Sequence, residues 1–304
     1  MQSVQTLCSA LVDYAGLFPP AKLDMGPTVA NYAAYVRAEH AWMLARLICP
    51  VARLDEFEAA AATTLPTGND AEPWRISALT APAGADALDA DLERILIFNE
   101  VHDDPANGAA VIDAIELRAA SAKDIDDALD RIPEGVTPFF ELDHTQDLRG
   151  PIAALAGADA GAKVRTGGVT PDLIPSAEHV ARFIATCAHA QVSFKATAGL
   201  HHPVRAEHAL TYEPNAVRAV MHGFLNVFLG AALLRARAID EDTLRTLLEE
   251  TDPHAFTFDD EGAAWRGHAL DLDQIAHARD TFAMSFGSCS FTEPVEDLQT
   301  LNLL

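Results

Sequence analysis

Hydrophobic and polar positions along the chain alternate between two periods. Short runs dominated by apolar residues recur at LVDYAGLF (11–18), RLICPVARL (46–54), WRISALT (74–80), VIDAIELRA (111–119), TPFFELD (137–143), GAKVRTGG (161–168), VSFKATAG (192–199) and FAMSFGSCSF (282–291). Between them lie segments with apolar residues at helical spacing, among them TVANYAAYVRAEHAWMLA (28–45), DADLERILIFNEVHDD (89–104) and SAEHVARFIATCAHA (176–190). Strands alternating with helices at this interval predict βαβ units and a parallel sheet. Eight such runs match an α/β fold, the closed (β/α)8 TIM barrel, as one domain over 1–304. The runner-up is a doubly wound open sheet. It normally carries a glycine-rich phosphate turn after its first strand, and none is visible here.

The rhythm breaks between the last two strands, where 204–281 is far longer than one crossover helix requires. This insert holds an apolar helix around Met221–Leu234, a second helix near Glu241–Glu250, and AFTFDDEGAAWRG (255–267). The last of these reads as a hairpin turning at Asp260–Gly262. The apolar helix is expected to pack on the barrel, with a subunit contact in a homo-oligomer as the alternative. The stretch AVMHGFLNVFLGAALL (219–234) is too short to span a bilayer and is interrupted by His222 and Asn226.

Composition narrows the function classes. A chain that is 49% hydrophobic over 304 residues can bury a large core. Its formal net charge of −24 argues against nucleic acid and anionic membranes as partners, since both need a basic face. Cys8, Cys49, Cys187 and Cys289 form no CxxC pair and read as reduced thiols. The N-terminus has no basic start before its apolar residues, so no signal peptide is expected and a cytoplasmic protein is.

On so acidic a chain, the four lysines stand out. Lys22 and Lys123 lie in polar surroundings, whereas Lys163 and Lys195 sit inside apolar strand runs. An unpaired ammonium almost never enters a core, because desolvating it is costly. The two lysines are 32 residues apart, one βα unit, which places them on neighbouring strands. Alternate residues of a strand share a face, pairing Lys163 with Arg165, Lys195 with Thr197, Glu116 with Arg118, and Glu141 with Asp143. In such barrels the chemistry sits at the carboxyl ends of the strands. Crowding of Lys163, Lys195 and Arg165 is expected to depress an amine's pKa and free its lone pair to attack a carbonyl. The bland alternative pairs each lysine with Glu116, Glu141 or Asp143 in a buried structural network.

These strand ends resemble those of deoxyribose-phosphate aldolase and its class I aldolase relatives. Lys163-Val-Arg-Thr-Gly167 is similar to the family's K-T-S-T-G, and Phe194-Lys195-Ala-Thr-Ala-Gly199 to its F-K-P-A-G-G. Ser285-Phe-Gly-Ser-Cys-Ser290 resembles R-F-G-A-S-S, and Val12-Asp-Tyr-Ala-Gly-Leu17 resembles I-D-H-T-L-L. The motifs keep the family's order but are confined to strand ends. The resemblance implies that Lys163 forms an imine with a small carbonyl substrate, that Lys195 supplies a neighbouring positive charge, and that Glu116 assists proton transfer. It implies carbon–carbon lyase chemistry through an enamine, without a metal or other cofactor.

Arg165 stands where the family has a small residue; it is expected either to bind a carboxylate or phosphate on the substrate or to pair with Glu141. The family's paired glycines after the seventh strand are altered to Ala198-Gly199, followed by Leu200-His201-His202-Pro203. Gly287, Ser288 and Ser290 retain amides for an anion. Asp13, Glu141, Thr197, His201 and His202 complete the expected substrate contacts. Two other classes stay open: a metal-dependent barrel using His201, His202, His144, Glu141 and Asp143, and a barrel that binds a small anion without turning it over.

Overall fold

A computed structural model describes residues 1–304, the side chain of Pro105 excepted. Thirteen strands occur in chain order: β1 Val12–Tyr14, β2 Leu44–Pro50, β3 Trp74–Leu79, β4 Ala110–Arg118, β5 Thr137–Glu141, β6 Gly161–Arg165, β7 Ser193–Thr197, β8 Ala206–Ala209, β9 Arg218–Met221, β10 Phe256–Phe258, β11 Gly262–Trp265, β12 His268–Asp271 and β13 Ala283–Ser288. The first seven and the last close into one parallel barrel in the order β1-β13-β7-β6-β5-β4-β3-β2. The chain is therefore a (β/α)8 barrel, as the eight apolar runs predict.

In-register partners point to the same side of a sheet, so the register states which residues meet inside. Lys163 is opposite both Glu141 and Lys195. Arg165 is opposite Thr197, and Thr197 is opposite Gly287. Asp13 is opposite Gly287, while Ser285 is opposite Lys195. A register shift between Ile76 and Ser77 leaves Asp113 as an extra residue on β4, a bulge that re-aims its carboxylate. Asp113 takes the Arg46 guanidinium at 2.6 Å and also pairs with Arg75.

The segment between β7 and β13 supplies more than a crossover. The helix Phe224–Arg235 is buried on nearly every side. Phe224 stacks on Phe286 of β13 at 5.4 Å, and Phe228 stacks near Phe194 of β7 at 6.1 Å. The helices Glu241–Leu248 and Leu272–Thr281 cover its other faces, which explains an apolar character that runs all round. Its buried Asn226 donates to the carbonyls of Leu247 and Glu250 at 2.8 and 2.9 Å, and His222, just ahead of the helix, bonds the Pro175 carbonyl at 2.8 Å, while the Arg235 Nε at its end has no partner among the described residues. The expected hairpin forms as β10–β11, with its turn at Asp259–Glu261, and β12 extends it to three strands. A second hairpin, β8–β9, was not expected from the sequence. The helical pattern read over 28–45 ends at Tyr35, because Leu44 already pairs with Val12 as the start of β2.

No helix among the described residues is long and apolar enough to cross a membrane. All four cysteines are buried and unpaired, and burial pushes the Cys8 and Cys49 thiols up to about 12.

Candidate active site

At the carboxyl ends of the barrel strands lies an open cavity of about 600 Å³. Its walls include Glu116, Arg118, Glu141, Lys163, Arg165, Thr197, His201 and Gly287, with Phe18, Ile48 and Leu173 among the apolar lining. The (β/α)8 fold places enzyme active sites at this end of the barrel.

The floor is an ion cluster. Glu116 Oε2 accepts from Lys163 Nζ at 2.7 Å, and its Oε1 accepts from Lys195 Nζ at 2.6 Å. Ser77 Oγ donates to Glu116 Oε1 at 3.0 Å. Lys163 Nζ also lies 2.8 Å from Glu141 Oε2, and Lys195 Nζ lies 2.8 Å from Asp13 Oδ2. Asp13 in turn accepts from Ser285 Oγ at 2.7 Å and from the Arg46 amide at 3.1 Å. Lys195 is 1% exposed and does not reach the cavity, whereas Lys163 does. Of the two amines, only Lys163 is presented to a ligand.

Three carboxylates thus surround two ammonium groups, and this corrects the expectation of an amine depressed by neighbouring cations. Burial alone would push Lys163 down, but the charges of Glu116 and Glu141 outweigh it and hold the ammonium above the ordinary lysine range. Burial likewise works to raise Glu116, yet the charges and hydrogen bonds of Lys163 and Lys195 hold its carboxyl far below the usual value. Glu141 follows the same pattern, burial being outweighed chiefly by Lys163.

Glu141 joins the floor to the mouth. Its Oε2 faces Lys163, while its Oε1 lies 3.6 Å from Arg165 and 3.7 Å from Arg118. Both guanidinium groups stand beyond close hydrogen-bonding distance and share one carboxylate oxygen, so most of their donors stay free. The far wall is different. His201 Nδ1 lies 3.1 Å from Glu293 Oε2 and 3.3 Å from Ser288 Oγ. Tyr212, from the β8–β9 loop, donates to Glu293 Oε2 at 3.1 Å and touches Cys289 Sγ at 3.5 Å.

Several expected substrate contacts are corrected. Asp13 is fully buried beneath the floor as a counter-ion of Lys195. Ser288 is buried behind His201, and Ser290 Oγ is engaged with Thr292 and the Glu293 amide. The Ser290 amide donates to Ser288 Oγ, so it is not free for an anion; Gly287 alone of that trio lines the cavity. His202 does not line it, because its Nδ1 is held 2.6 Å from Asp297 and its ring stacks on His208 at 3.4 Å.

The metal constellation is not assembled. His201 pairs with Glu293, His202 with Asp297, Glu141 with Lys163 and Asp143 with Thr145, while the His144 ring lies 5.2 Å from that of His179. Among the described residues no three His, Cys, Asp or Glu side chains converge as a ligand set. Sequence reasoning missed Ser77, Glu293 and Tyr212. No local motif marks them, and they reach the site from β3, from the helix Thr292–Thr300 and from the β8–β9 loop respectively. Comparison of the chain with protein-family models, curated proteins and solved structures finds no match.

Proposed function

We propose that this barrel is a carbon–carbon lyase of the class I aldolase type, which joins Lys163 to a small carbonyl substrate bearing a carboxylate or phosphate. The observation that carries the reading is the placement of Lys163. It is the one amine of the floor open to the cavity, and it is flanked by Glu116 and Glu141 at 2.7 and 2.8 Å. Arg118 and Arg165, with donors to spare, suit the anionic group.

The resting amine is an ammonium, so the first step is proton transfer within an ion pair. Glu141 is the better acceptor, since it faces one lysine closely where Glu116 faces two. The freed lone pair attacks the carbonyl carbon and gives a carbinolamine. Glu141, now protonated, returns its proton to the departing hydroxyl, water leaves and an iminium remains. Cleavage passes the electron pair of the adjacent Cα–Cβ bond to the iminium nitrogen as the β-hydroxyl loses its proton. The resulting enamine is protonated at Cα, and hydrolysis of the iminium restores Lys163. Glu116 stays ionised between the two lysines and fixes the Lys163 nitrogen, while Lys195 holds Glu116 in that state.

Borohydride reduction with acetone, acetaldehyde or pyruvate tests this. The expected outcome is a covalent mass addition at Lys163, absent in Lys163→Ala and more efficient with pyruvate than with acetone. No addition with any of these or with dihydroxyacetone phosphate would overturn the reading in favour of a barrel that only binds its anion.

A further inference from the structure

We infer that His201 and Glu293 form a second acid–base pair in the same cavity, serving the aldehyde half of the substrate in the carbon–carbon step. The inference rests on the imine reading above for its reaction, but its geometry is separate. Around the barrel, Arg118, Glu141, Lys163 and Arg165 belong to β4, β5 and β6. His201 follows β7, and Glu293 lies in the first turn of the helix Thr292–Thr300 that follows β13. The two clusters share no partner.

His201 Nδ1 lies 3.1 Å from Glu293 Oε2 and 3.3 Å from Ser288 Oγ. An ionised carboxylate only accepts, whereas a hydroxyl can accept as well as donate, so the arrangement that suits both neighbours puts the proton on Nδ1. In the neutral ring the lone pair is then on Nε2. That atom makes no hydrogen bond among the described residues and is not among their sealed, partnerless buried atoms. His201 lines the cavity, so Nε2 is the nitrogen available to a ligand. Tyr212 donates to the same Glu293 oxygen at 3.1 Å and holds the carboxylate in place from the β8–β9 hairpin. A base oriented by a carboxylate in this way is the usual arrangement for moving one proton at one atom.

The Lys163 side leaves a proton transfer unassigned. In cleavage, neutral His201 Nε2 takes the β-hydroxyl proton while the Cα–Cβ electron pair moves to the iminium nitrogen and the aldehyde is released. In addition, the enamine carbon attacks the aldehyde carbon, and imidazolium Nε2–H gives its proton to the forming alkoxide. Exchange of Cα protons through the enamine does not need this pair. His201 is a catalytic residue on this assignment, and Glu293 is a positioning residue that acts through it.

The assay follows two reactions in the full-length protein by NMR: deuterium exchange at the methyl groups of acetone in D2O, and addition of acetone to glyceraldehyde. His201→Gln is expected to slow addition about a hundredfold while exchange and borohydride trapping stay within about threefold of wild type. Glu293→Gln should behave alike, with Glu293→Asp recovering part of the addition rate. The ¹⁵N signals of His201 should report a proton on Nδ1 in the wild type and a mixed tautomer in Glu293→Gln. Addition that survives in His201→Gln, equal loss of addition and exchange, or a wild-type proton on Nε2 each overturns the pair. Absence of trapping in the wild type instead overturns the imine reading, and the pair's assigned reaction with it.

Discussion

Glu116 sits where one carboxylate answers two buried ammonium groups, with an oxygen on each. Removing a partner from such a cluster leaves charge stranded in low dielectric, which typically costs about 3–5 kcal/mol. Glu116→Ala should therefore lower unfolding stability at pH 7 by about that amount in a urea titration, and Glu116→Gln, which keeps hydrogen-bonding atoms, by less. The pH dependence follows from the direction of the shift. Because the folded-state value of Glu116 is depressed, its contribution is present above the unfolded carboxylate value of about 4.3 and is lost as pH falls below it. Lys163 is raised, so its contribution is present below about 10.4 and is lost as pH rises through its higher folded value. Stability should thus fall at both ends, and Glu116→Ala should flatten the acid limb. The lysines were legible in sequence because a cation within an apolar run is costly. Glu116 and Glu141 were legible as candidate counter-ions, but Asp13 takes the place expected of Asp143. The reason is that strand alternation says which residues of one strand share a face, while the meeting of Asp13, Glu116 and Glu141 depends on the register of five strands.

At the scale of elements, the loops after β6 and β7 approach so closely that only glycine fits. A Cβ at Gly167 would stand 2.8 Å from the Gly199 Cα, and Gly199 has φ +76°. Thr166 Oγ1 locks the same junction by donating to the Ala198 carbonyl at 2.6 Å. Arg165 precedes this contact and His201 follows it, so both cavity walls depend on its geometry. Gly167→Ala forces backbone apart and should cost about 1–3 kcal/mol; the thermal midpoint of the purified variant checks it. The same variant should weaken borohydride trapping of pyruvate more than of acetone, since Arg165 is displaced. Sequence periodicity located all eight barrel strands, because a strand buried on both faces reads as an apolar run. It missed the β8–β9 hairpin, whose exposed Val217 and Val220 and short strands give no sustained alternation. It also could not foresee the bulge at Asp113, since an extra residue appears only once two strands are paired.

For the molecule as a whole, closure of the barrel joins the beginning of the chain to its end, and one buried arginine holds that seam. Arg279 lies on the helix before β13 and donates to the carbonyls of Ala283 and Met284 at the start of that strand. It also donates to the Ser9 carbonyl at 2.9 Å, just ahead of β1, and its guanidinium lies 5.6 Å from the Phe228 ring centre. Met284 is unpaired where the β13–β7 register shifts between Ala283 and Ser285, so its carbonyl depends on the arginine. Each buried acceptor left without a donor costs about 1–3 kcal/mol. Arg279→Met preserves much of the apolar stem and strips the donors, so it should destabilise the protein by about 3 kcal/mol or more. Because β1 and β13 are neighbours in a closed ring, loosening their junction cannot be confined to a terminus. Urea unfolding of Arg279→Met should therefore remain a single transition with an unchanged slope and a lower midpoint. Two transitions, or an early loss confined to the first strand, would show that the barrel does not close as one cooperative unit.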